Sequence, residues 1–127
     1  MSEAGRTCAG ERPLVAVLYR VPLVCEAIVA ALDPIVSAQP FPARIGDLLG
    51  LLGSVRPDAI VVDSEVEAEM ISLYSRIHEV PLLHIDLRTQ RLLILEHGDW
   101  RSEETVTAES VRNAVAGALL GRREVPA

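Results

Sequence analysis

Three stretches of the chain could carry chemistry, and each follows an apolar run. Leu14 to Leu18 (LVAVL) leads into Tyr19-Arg20. Asp58 to Val62 (DAIVV) leads into Asp63-Ser64, and Pro81 to Ile85 (PLLHI) leads into Asp86, with Arg88 two residues further on. Two carboxylates, two guanidinium groups, a phenol and a hydroxyl at such positions could form a polar pocket for a small anion or a nucleotide. They could also neutralise one another. A buried carboxylate left unpaired is costly, and arginine is shaped to hold one bidentately. The expected arrangement is an internal ion pair, Arg20 with Asp63 or with Asp86.

Other chemistries lack their parts. Ser64 has no glycines around it to build a nucleophile elbow. The segment Tyr19-Arg20-Val21-Pro22 has no glycine that would let a phosphate approach the backbone, so a dinucleotide site is not expected. His78 and His97 fall at element ends, His84 lies inside an apolar run, and the three are not spaced as a metal set. All 12 basic residues are arginine, which removes Schiff-base catalysis and a phosphate-loop lysine. Cys8 and Cys25 form neither a disulfide framework nor a zinc knuckle and read as reduced thiols. No catalytic residue, metal or cofactor is expected.

The elements that must position these residues follow from the apolar pattern. The three runs read as strands buried on both faces of a parallel sheet, and Pro34 to Ala38 as a weaker one. Pro22 suits the first turn of a helix reaching about Leu32. A second helix spans roughly Arg44 to Val55, with Ile45, Leu48, Leu49 and Leu52 on one stripe. A third runs from about Glu65 to His78, with Val66, Met70, Leu73 and Ile77 expected to face inward; its early glutamates favour the positive end of the helix dipole. Only Leu87 to Gln90 separates the fourth strand from Arg91 to Glu96. A parallel crossover needs a dozen residues or more, so this fifth strand should return antiparallel. His97-Gly98-Asp99 marks a turn into a short strand over Trp100 to Val106, and Thr107 can cap a last helix to about Gly121 whose buried stripe is Val111, Val115, Ala118 and Leu119.

Composition narrows the class. A chain of 127 residues with 50% apolar and 24% charged residues is one domain with a real core. Residues 1–12 and 123–127 read as tails around a domain over 13–122. The net charge of −6 is concentrated: Asp58 to Glu104 holds eleven acids against four arginines, while the remainder is close to neutral. No stretch offers the basic face of a nucleic-acid binder. No apolar run reaches the roughly 18 residues of a membrane span, and the start of the chain lacks a secretory core. A cytoplasmic protein is expected.

Two segments carry a family resemblance. VLYRVPLVCEAIVAAL is similar to the first strand, acidic pair and first helix of the receiver domains of bacterial two-component response regulators, and RPDAIVVD to the strand that ends in their phospho-accepting aspartate. The resemblance covers residues 13–86 and the last helix. It implies a three-layer, flavodoxin-like α/β sandwich of strand order 2-1-3-4-5, with a C-terminal β-hairpin replacing the fourth helix. It places the acceptor at Asp63. The rest of the family's machinery is missing: Tyr19-Arg20 stands for the acidic pair that holds Mg²⁺, Asp86 for the hydroxyl residue, and there is no lysine. The chain therefore resembles a degenerate receiver, a non-catalytic interaction module. A small-molecule sensor and an atypical phospho-acceptor at Asp63 are the alternatives.

The first helix has one charged residue, Glu26, and would turn Cys25, Val29 and Ala30 outward; the last would turn out Ala116, Gly117 and Leu120. In receiver-like folds these helices are neighbours. An exposed apolar patch marks association, so a homodimer or another protein partner is expected there, in preference to cover by the tail or the hairpin.

Overall fold

Apolar segments without alternation, such as LVAVLY, AIVV and LLHID, need cover on both faces, and the computed structural model provides it. It describes residues 12–44, 46–103 and 105–123. The elements run β1 (Leu14–Tyr19), α1 (Pro22–Leu32), β2 (Ser37–Pro42), α2 (Leu48–Val55), β3 (Ala59–Val62), α3 (Glu65–His78), β4 (Leu82–Asp86), β5 (Arg91–Glu96), β6 (Asp99–Glu103) and α4 (Ala108–Arg123). Among the described residues the result is a mixed α/β fold of one six-stranded sheet and four helices. Residues 15, 17, 59, 61, 83, 85, 92 and 94 of the sheet pack against α1 and α4. Residues 16, 18, 60, 62, 82 and 95 pack against α2 and α3. No helix among the described residues is long and apolar enough to cross a membrane.

The strand order is β2-β1-β3-β4-β5-β6, not the expected 2-1-3-4-5. β1 to β4 are parallel, while β5 and β6 return antiparallel. The sixth strand joins the sheet through a two-residue turn whose His97 and Gly98 both have positive φ, 56° and 85°. A type I′ turn requires that conformation at both positions, and its twist folds β6 back onto the free edge of β5. This pair does not end the chain, because α4 follows it. Thr107 and Ser110 cap α4 reciprocally: Ser110 N donates to Thr107 Oγ1 at 2.9 Å and Thr107 N to Ser110 Oγ at 2.8 Å.

Several expectations are corrected. β2 starts three residues after Pro34, and its Pro40 and Pro42 are accommodated because the strand lies at the sheet edge. α2 begins only at Leu48, capped by Asp47, whose side chain accepts from Gly50 N. Cys25 is buried with Ile28 and Leu32 and is not part of an outer surface; Val29 is half-buried, whereas Ala30, Ala116 and Leu120 are exposed. α3 is turned relative to the expectation. Val66, Met70, Leu73 and Ile77 are 60%, 44%, 64% and 64% exposed, and Glu67, Ala68, Ile71 and Ser75 face the sheet. The small residues let the helix close on the strands. The polar ones are satisfied there, Ser75 by donating to the Val80 carbonyl and Glu67 by Arg20. Ile45, Cys8 and the tails over 1–11 and 124–127 lie outside the described residues.

Candidate functional site

The start of α1 lacks a side chain to cap it. Its N-cap residue is Val21, which has no side-chain oxygen, and Pro22 follows. The amides around a helix start need acceptors, and Asp63, at the end of β3, supplies them for the two residues just before the helix. Its Oδ1 accepts from Arg20 N at 2.9 Å; its Oδ2 accepts from Val21 N at 3.0 Å and Arg20 N at 3.2 Å. Both carboxylate oxygens of this buried residue are thereby engaged. Asp63 ties the β1–α1 junction to β3.

The Arg20 side chain turns to a different acid. Nε donates to Glu67 Oε1 at 2.7 Å and Nη2 to Glu67 Oε2 at 2.8 Å, a bidentate pair. Arg20 is half exposed while Glu67 is 2% exposed. The expected pairing of the Arg20 guanidinium with Asp63 or Asp86 is therefore corrected to Glu67. The Arg20 hydrogen bond holds the Glu67 carboxyl below the usual carboxylate range against the upward push of burial, with help from Ser64. The same bond raises Arg20.

The remaining candidates lie close by but are engaged elsewhere. Tyr19, half-buried, ends β1, and its carbonyl accepts from Ala43 N at 2.7 Å. Ser64 is the N-cap of α3 by position. Asp86 Oδ1 accepts from Arg88 N at 3.0 Å and Thr89 N at 3.3 Å, closing a turn of its own loop. Burial raises the Asp86 carboxyl, but the Thr89 and Arg88 bonds outweigh this and hold it low. Arg88 is exposed and joins only through its backbone. The structure thus brings together Arg20, Asp63, Ser64 and Glu67, with Asp86 and Arg88 as a separate loop. Glu67 is the residue that sequence reasoning missed. Its signal was the Ser64-Glu65-Val66-Glu67 spacing, which directs an acid back over a helix start.

His84 is buried on β4, and burial depresses its imidazole against the opposing pull of Asp86, Glu65 and Asp63. A histidine with a depressed folded value stays neutral while the unfolded chain takes up a proton near pH 6.5. Stability is then complete above that pH and falls as pH drops through it. His84→Leu is expected to flatten this slope between about pH 5 and 6.5. Urea midpoints at the two ends of the window test it, and equal slopes in both proteins would refute it.

A divalent cation, which the receiver resemblance implies at Asp63, does not fit these residues. Both Asp63 oxygens face amide donors, Asp86 is held by its own loop, and a guanidinium occupies the neighbouring position. Among the described residues no group of three or more His, Cys, Asp or Glu side chains could hold a metal ion. A cavity of about 670 Å³ lies at the opposite end of the sheet, lined by the α3–β4 loop and the β5–β6 turn, including His78, Glu79, Glu96 and His97. Comparison with family models, with curated proteins and with solved structures found no match.

Proposed function

We propose that the chain is a non-catalytic, receiver-like protein-interaction module. In this reading the fold is a flavodoxin-like three-layer sandwich in which the β5–β6 hairpin stands where the family has its fourth helix. The module works in the cytoplasm, in bacterial signalling or as a subunit of a larger assembly. The carrying observation is the engagement of Asp63: a carboxylate that accepts three amide hydrogen bonds is a structural tie and a poor nucleophile. The Arg20–Glu67 pair beside it supplies neither a metal ligand set nor a leaving-group acid.

Treatment with acetyl phosphate and Mg²⁺ is expected to leave the intact mass unchanged. A stoichiometric phosphoryl adduct that vanishes in Asp63→Asn would establish the atypical phospho-acceptor instead. A small molecule retained in native mass spectrometry and lost in Arg20→Ala would favour the sensor. The partner is a protein, reached through an apolar helix face. One such face, on the α1/α4 side, presents Leu23 and Leu120 among small residues, 75% and 57% exposed. It is narrower than expected because Cys25 is buried.

A further inference from the structure

The exposed stripe of α3 is an apolar feature that the core does not use. Val66, Met70, Leu73 and Ile77 are spaced four, three and four apart, the seam of a heptad pattern. Each is at least 44% exposed. Leu49 of α2, 46% exposed, lies on the same side of the sheet, and Tyr74 links the two helices by donating to the Leu52 carbonyl at 3.1 Å. Glu69 and Arg76 border the stripe on its solvent side. Among the described residues no ion pair within the chain engages either of them.

We propose that α3 pairs antiparallel with α3 of a second copy of this chain, burying Val66, Met70, Leu73 and Ile77 in a two-fold interface. The proposal rests on the interaction-module reading and names its partner. The sequence around the helix midpoint is self-complementary. With Met70 opposite Leu73 of the second copy, Val66 falls opposite Ile77, and Glu69, offset by two residues from that register, meets Arg76 diagonally on the flank, each relation occurring twice. An isologous interface needs this symmetry. A stripe made for an unrelated partner needs neither matched apolar positions nor opposite charges on the flanks that meet. In an antiparallel pair the flanking positions that meet are those occupied by Glu69 and Arg76, so the charges set the register.

The test is sedimentation of the full chain at tens of micromolar. The parent protein is expected to be a dimer. Met70→Glu with Leu73→Glu should give a monomer with unchanged circular dichroism, since both positions are exposed. Arg76→Glu alone should weaken the dimer about tenfold by setting like charges opposite one another. Combining it with Glu69→Arg should restore the parent affinity to within about threefold, a recovery that only the antiparallel register predicts. Leu23→Glu with Leu120→Glu, on the α1/α4 face, should leave the dimer intact. A monomeric parent, a charge swap that fails to recover, or a dimer lost only through the α1/α4 variant would each overturn the proposal. A monomeric parent that also stays unmodified by acetyl phosphate would leave the module reading standing.

Discussion

Asp63→Ala is expected to lose about 3 kcal/mol of stability, read as a lower urea midpoint with an unchanged slope. Hydrogen bonds to a charged acceptor contribute roughly 1.5–3 kcal/mol each. Asp63 accepts three, but Arg20 N is shared between its two oxygens, so the effective number is two. Truncation also leaves the amides of Arg20 and Val21 without acceptors at a helix start that has no other cap. Asp63→Asn should lose about half as much, because one oxygen still accepts while the new amide group opposes an N–H donor. An aspartate kept for chemistry and strained by its neighbours would behave in the opposite sense, with its removal neutral or stabilising. A loss below about 1 kcal/mol for Asp63→Ala would therefore refute the structural role.

The parallel strands and several helix boundaries were legible because single physical signals dominate them. Pro22 and Leu32 bound α1 as expected, since a proline can start a helix and Asp33-Pro34 discourages its continuation. The antiparallel return of β5 followed from chain length alone, because the segment over 87–90 is too short for a crossover. β2 was displaced because its two prolines mask a strand that needs hydrogen bonds on only one side.

The orientation of α3 was not legible, and the reason lies in the site. The apolar stripe over Val66 to Ile77 has the period of a core face, and period alone does not say which face the core is on. The decision rests on Glu67, an acid that can enter the interior only because Arg20, distant in sequence, meets it. With Arg20 assigned to Asp63 or Asp86, nothing in the sequence offsets the burial of Glu67, and the apolar stripe reads as the core face. One long-range pair determines both the site and the face that the helix buries.

That pair leads to the second large effect, a change in how stability responds to pH. In the parent protein the Arg20 hydrogen bond, opposed by burial, holds Glu67 below its usual range. A group depressed in the folded state contributes stability above its unfolded value near 4.3, lost as pH falls through the folded value. Arg20→Met keeps the apolar stem but removes the hydrogen bond and the charge. Burial is then opposed only by the Ser64 hydrogen bond and the backbone bond of Glu67, and the folded value rises. The stability that ionised Glu67 contributes above about pH 4.3 shrinks accordingly. The urea midpoint of Arg20→Met should therefore fall furthest below the parent at pH 7, with the gap narrowing toward pH 4. Glu67→Gln should cost little, because water solvates the half-exposed guanidinium left behind. Joining the two substitutions should remove this pH dependence, since no titrating carboxylate remains there. A gap between Arg20→Met and the parent that stays constant from pH 4 to 7 would show that Glu67 does not depend on Arg20 for its charge.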